Sequence, residues 1–150
     1  MKPIFMTVGL ILSLAGASGC IHVTHKPPEA ATTPPPYAVE TLAKSTRSWD
    51  GDALPPYPAG QPEITILRIT IPPRTRLPLH YHPVINAGVL LEGQLTVIAE
   101  HGKRLELKAG DPIVELVSTP HYGINEGDQP AVIIVFYAAT EGAPFTKVTH

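Results

Sequence analysis

"HYHPVINAGVLLEG", residues 80–93, sets two histidines on either side of one tyrosine and follows them with an apolar run that ends in glycine. On a β-strand, residues i and i+2 point to the same face, roughly 6–7 Å apart. His80 and His82 therefore share a face that Tyr81 does not. Two imidazoles so placed can converge on one metal ion. The pair alone is a weak signal, and its meaning depends on the sequence around it.

That sequence reads as short strands. "EITILRITI", residues 63–71, alternates and is rich in β-branched residues. "AGVLLEG", "QLTVIAE", "RLELKAG", "PIVELVS" and "AVIIVFYA" follow, separated by the turn signals "EG", "HGK", "AGD" and "EGDQP". Short strands at intervals of about 8–12 residues indicate an all-β sandwich or barrel. His101 falls in a turn and is expected to be exposed. "AVETLAKSTRSW", residues 38–49, reads as a short helix or an irregular lead-in, with Trp49, the one tryptophan, packed onto the domain.

A third histidine, His121, lies in "GDPIVELVSTPHYGIN", residues 110–125. Together the two stretches resemble the cupin superfamily. In its first motif, His-x-His is followed by three or four residues, a Glu, six residues and a Gly. His80, His82 and Gly93 match, with Asn86 at the Glu position. In its second motif, Gly is followed by five residues, Pro, any residue, Gly, two residues, His, three residues and Asn. Gly110, His121 and Asn125 match, while Leu116 and Ser118 replace the Pro and the second Gly. The resemblance covers about residues 45–150. It implies an all-β cupin fold, an antiparallel jelly-roll barrel (double-stranded β-helix), that forms a homodimer. It also implies one divalent metal ion (Fe, Mn, Zn, Ni or Cu) held by His80, His82 and His121 with a carboxylate.

Asn86 is the departure, because an amide oxygen is a weaker ligand than a carboxylate and brings no charge. Glu115, an acid inside the apolar "PIVELV", is the candidate replacement, as a ligand or as a hydrogen-bond partner of one. The competing reading places Glu115 on a solvated outer face. Glu115 and Asn86 both stand as candidates for the fourth position. Asn125 is expected to bond backbone in the turn after His121. Tyr81 and Tyr122 alternate with the histidines and so face away from them. Arg74 and Arg76 lead into the histidine strand, where they would bind an anion at the barrel mouth or lie exposed.

The N-terminus carries different information. Lys2 precedes the apolar stretch "IFMTVGLILSLAGA", residues 4–17, which has the length of a signal peptide. "ASGC", residues 17–20, resembles a bacterial lipobox, although Ala17 stands where Leu is usual. Cys20 is the only cysteine, so no intrachain disulfide can form and stability must come from packing. The expected organisation is a signal peptide over 1–19, a tether over 20–37 and the cupin domain over 38–150. Lipidation at Cys20 would anchor the protein to a membrane of the cell envelope. Ordinary secretion with a free thiol, for instance into the periplasm, is the alternative. Residue 21 is Ile rather than Asp, which favours the outer membrane. Half of the 18 prolines lie within residues 27–62. Proline-rich linkers are extended, so His22 and His25 in this stretch read as solvated.

The formal charge of -2, from 13 acidic and 11 basic residues, argues against a nucleic-acid partner. The functional expectation is an exported metal-binding domain that binds or transforms a small oxygen-containing molecule. A dioxygenase, an isomerase and a lyase are equally open, since fold does not fix chemistry. A non-catalytic binding or sensing module and an envelope scaffold are the alternatives.

Overall fold

The computed structural model describes residues 37–149. The expectations for the leader, Cys20, His22 and His25 lie outside the described residues. Ten strands make up the regular structure: β1 (Pro62–Ile71), β2 (Thr75–Arg76), β3 (His80–Tyr81), β4 (Ile85–Glu92), β5 (Gln94–Ala99), β6 (Arg104–Lys108), β7 (Pro112–Val114), β8 (His121–Asn125), β9 (Ala131–Thr140) and β10 (Lys147–Val148). Among the described residues no helix is long and apolar enough to cross a membrane. The segment before β1 is irregular, with an isolated bridge between Arg47 and Ala53.

All strand pairs are antiparallel, as the turn-separated pattern predicts. One sheet has the order β1-β9-β4-β7. The other runs β10-β3-β8-β5-β6, with β2 also paired to β8. Register decides what faces inward. Leu67 pairs with Val135, Ile69 with Ile133 and Ile71 with Ala131, and these positions are the more buried ones of β1 and β9. Across β9, Asn86 pairs with Tyr137 and Leu90 with Ile133. Residues directly opposite each other in a ladder share a face, so Asn86 and Tyr137 sit in one inner row. The core draws on both sheets, with Leu95, Val97 and Leu107 facing Ile133, Val135 and Tyr137. Burying an Ile or Leu side chain contributes on the order of 1.5–3 kcal/mol. A cysteine-free domain has this packing in place of a crosslink.

Polar residues fix the ends of the barrel. Asn125 is fully buried, and its Nδ2 donates to the carbonyls of Ile71 (3.0 Å), Pro72 (3.1 Å) and Gln129 (2.8 Å). Its Oδ1 accepts the Gly127 N–H at 3.0 Å. This is the backbone-bonding role expected of it, and it ties the loop after β8 to the end of β1. Gly93 turns β4 into β5 at φ +75°, and a Cβ there would collide with the Pro130 carbonyl. The irregular lead-in is pinned at Asp50. Its carboxylate accepts the Asp52 N–H at 3.0 Å and lies 3.1 Å from His101 Nε2. Lys103 Nζ donates to the Asp50 carbonyl. His101 is exposed as expected, but it is not free. Trp49 packs against the core, and its backbone N–H donates to Val114.

Candidate metal centre

Three short elements bring the histidines together. His80 on β3 stands directly opposite His121 on β8. His82 lies two residues further along, just past β3, bridged to Val117. The i, i+2 spacing thus directs His80 and His82 to one side, where His121 meets them. The ring centroids form a near-equilateral triangle, 5.0 Å (His80–His82), 4.7 Å (His80–His121) and 5.0 Å (His82–His121). His121 and His82 are buried and His80 is half-buried.

The hydrogen bonds fix which nitrogen is free. His80 Nδ1 lies 2.8 Å from the Pro78 carbonyl, His121 Nδ1 2.8 Å from the Thr119 carbonyl and His82 Nδ1 3.0 Å from the Phe145 carbonyl. A carbonyl can only accept, so each Nδ1 carries the proton and donates. Each Nε2 is left with its lone pair. Burial holds all three histidines below the ordinary value of 6.5, and pushes His82 down to about 3. They are therefore neutral near pH 7, the form in which imidazole binds a metal.

Glu115 stands beside the histidines. It is buried, and its Oε2 lies 3.6 Å from His121 Nε2. Burial raises its pKa from 4.5 to about 7, against the opposing pull of His80 and the Leu116 backbone. The strand expected over "PIVELVS" is shorter than expected, because β7 ends at Val114, and Ser118 turns the chain at φ +61°. Strand parity therefore does not relate Glu115 to His121. They meet because the turn folds one back on the other.

Do these residues fit a metal? His121 Nε2 and Glu115 Oε2 are buried without a hydrogen-bond partner, a state that costs roughly 1–3 kcal/mol per group. The three histidines offer ligand atoms within 4.8 Å of one another. Nitrogens roughly 2.0–2.1 Å from a tetrahedral ion would stand about 3.4 Å apart, so modest ring movement closes the site. Three neutral imidazoles and a carboxylate suit Fe, Mn, Zn, Cu or Ni. The donor set fits a divalent ion.

The other expected residues fall as follows. Asn86 is buried in β4, its Nδ2 directed to the Val84 carbonyl at 3.3 Å and its Oδ1 without a partner. It does not line the cavity that the histidines border. Arg74 pairs with Asp128 at 2.5 Å, and the Arg76 guanidinium stacks 3.7 Å over the Tyr122 ring. Neither arginine lines that cavity and both are exposed, which is the second of the two readings the sequence left open.

The cavity measures about 360 Å³, within the range of small-molecule sites. Besides the histidines and Glu115, its polar side chains are Tyr137 and Thr146, both missed in the sequence. The ring of Tyr137 lies 5.4 Å from that of His82, and burial pushes its hydroxyl up to about 12. Thr146 Oγ1 lies 3.1 Å from His82 Nδ1. The alternation of "AVIIVFYA" carries a signal for Tyr137, which shares the parity of Ile133 and Val135. Thr146 lies in an irregular tail with no such signal.

Residues 67–137 match a family model described as Cupin domain. No curated protein matches the chain. Among solved structures, the chain is similar to the oxalate decarboxylase of Lactobacillus farciminis in its formate complex. Identity is 21% and the TM-score 0.51, over 57% of this chain and 26% of that one. It is also similar to the DMSP lyase DddQ of Ruegeria pomeroyi DSS-3, at 20% identity and a TM-score of 0.51, over 57% of this chain and 43% of that one. The chain thus spans less than half the length of either structure. At these identities the likeness shows the fold alone, and that fold is the antiparallel barrel expected from the paired motifs.

Proposed function

We propose that this chain, whose fold is the cupin fold, is a divalent-metal-binding cupin that binds or transforms a small oxygen-containing molecule. The observation that carries the reading is the common state of the three histidines. Each Nδ1 donates to a backbone carbonyl, which leaves three Nε2 lone pairs at one end of a cavity. Partners of this kind fix ring orientation and tautomer, and they raise ligand basicity. Glu115 would supply the negative charge, as a ligand or through His121. A bound ion would act as a Lewis acid toward an oxygen of the ligand or lower the pKa of a bound water. Tyr137, protonated up to about pH 12, can donate its O–H to that ligand.

Purified protein should contain one divalent ion per chain by elemental analysis. His80→Ala, His82→Ala and His121→Ala should each lose it after dialysis against chelator, with the β circular-dichroism signal kept. Full metal content in all three variants would refute the site. A non-catalytic holding role is the second reading, and one observation favours it. Among the described residues outside the proposed metal group, Tyr137 is the only titratable side chain that lines the cavity, and it stays protonated, so these residues offer no further side-chain base. Tight metal with no turnover across carbonyl and carboxylate compounds would decide for holding.

Export and acylation at Cys20, at the outer membrane or in the periplasm, are proposed from the leader residues. Fatty-acid labelling of the wild type and not of Cys20→Ser is the expected result. A homodimer is proposed on the exposed Ile64, Ile66 and Phe136 of the outer sheet face.

A further inference from the structure

We infer that the cavity takes a molecule with one oxygen-bearing head, neutral or singly charged, on an apolar body, and that it rejects dianions. The inference rests on the metal reading above and deepens it to a ligand class.

Charge gives the first argument. Among the described residues no lysine or arginine lines the cavity. The two arginines that precede the histidines in the chain are engaged elsewhere, Arg74 by Asp128 and Arg76 by Tyr122. With neutral histidines, a divalent ion and an ionised Glu115 would leave one net positive charge. One carboxylate head cancels it. A second carboxylate would place an unpaired negative charge against hydrocarbon, which is strongly unfavourable.

Shape and polarity give the second argument. Among the described residues, the polar side chains of the cavity are the three histidines, Glu115, Tyr137 and Thr146. Thr146 Oγ1 contacts His82, and the Tyr137 ring lies beside that of His82, so both hydroxyls belong to the histidine end. The remaining wall is hydrocarbon from both sheets, including Leu67, Ile69, Leu95, Val97 and Val135. Gly123 lets two of the cavity leucines close in. A Cβ there would stand 3.3 Å from Leu95 Cδ1 and 3.4 Å from Leu77 Cδ1, so a side chain would press both into the cavity. About 360 Å³ is the volume of roughly a dozen waters, enough for a head and several carbons.

The test uses the cobalt(II)-loaded chain. Its visible absorption reports metal binding and head-group contact, and calorimetry reports affinity. Straight-chain monocarboxylates from acetate to octanoate are compared with dicarboxylates of equal length. Each methylene should tighten binding by about 4-fold until the cavity is filled. Dicarboxylates should bind at least about 10-fold more weakly than monocarboxylates of equal length, given the cost of a buried unpaired charge. Val97→Phe should shorten the longest chain accepted. Gly123→Ala, a milder filling of the same space, serves if Val97→Phe fails to fold.

A cobalt spectrum with affinities flat along the series leaves the metal reading in place and overturns the ligand class. Dicarboxylates binding as tightly as monocarboxylates do the same. Absence of any cobalt spectrum overturns the metal reading, and the single-head inference with it.

Discussion

Glu115→Gln separates the two consequences of burying an acid beside three neutral histidines. The folded, metal-free protein holds the Glu115 carboxyl at about pKa 7, against 4.5 for an unperturbed one. Between these values the folded state keeps a proton that the unfolded state has released. Stability due to this residue is therefore full below about pH 4.5 and is lost as pH rises toward 7. A gap of about 2.5 units at about 1.36 kcal/mol each makes ionised Glu115 cost about 3 kcal/mol at pH 8, and only a few tenths near pH 4. Glutamine keeps the shape and never ionises. In chelator, Glu115→Gln should be more stable than wild type by up to about 3 kcal/mol at pH 8, with the difference vanishing toward pH 4. His82 and His121 titrate in both proteins and cancel in the comparison, while His80, held up by Glu115 in the wild type alone, adds a smaller contribution. Urea unfolding followed by Trp49 fluorescence at pH 4, 6 and 8 measures it. With zinc present the order should reverse, because the carboxylate then has its counter-charge. A metal-free difference that stays flat between pH 4 and 8 would show that Glu115 reaches solvent and has no strained ionisation to relieve.

Two further outcomes concern the same group. Thr146→Val removes one of the two oxygen partners of His82 Nδ1 while leaving the Phe145 carbonyl, so metal affinity should fall by about 10-fold, the lower end for losses of this kind. A fall beyond about 100-fold, read by competitive zinc titration, would make Thr146 more than an orienting residue. The double variant Asn86→Glu with Glu115→Leu should bind zinc within about 10-fold of wild type, while Glu115→Leu alone should lose 10- to 100-fold. Equal loss in both would show that position 86 cannot deliver a carboxylate to the histidines.

The barrel was legible because its signals are local. Alternation in "EITILRITI" and the turn residues between runs follow from the two-residue period of a strand. The histidine trio was legible because spacing within each motif survives wherever the strands pair. What escaped depended on the third dimension. Tyr137 has the right parity, but parity does not say which strands flank it. Thr146 reaches His82 across 64 residues, through a segment with no periodicity. Arg74 and Arg76 are exposed, as one of the two readings had it, and only their partners, Asp128 and Tyr122, were hidden, because these come from chain segments distant in sequence. The helix considered for residues 38–49 gave way to tertiary contacts at Trp49 and Asp50, which outweigh the weak preference of a short isolated helix.

The exchange at position 86 then has a physical explanation. Asn86 stands where the resembled motif has a glutamate, and under the proposed metal reading the acid comes instead from Glu115, 29 residues later. In the fold these are not distant sites. The Glu115 N–H donates to the Asn86 carbonyl at 3.1 Å, so the two residues are hydrogen-bonded backbone neighbours on β4 and the end of β7. A carboxylate from either backbone position starts from nearly the same place. The two side chains nevertheless meet different partners. The Asn86 amide turns to the Val84 carbonyl in the inner row beside Tyr137, while Glu115 reaches His121 from just beyond β7. With an acid at both positions, two buried carboxylates would compete for one counter-charge, and one would have to stay protonated. An amide at 86 removes that conflict at the cost of one unpartnered oxygen. Burial raises the remaining acid to about pKa 7, so near neutrality its proton can be given up when a cation arrives.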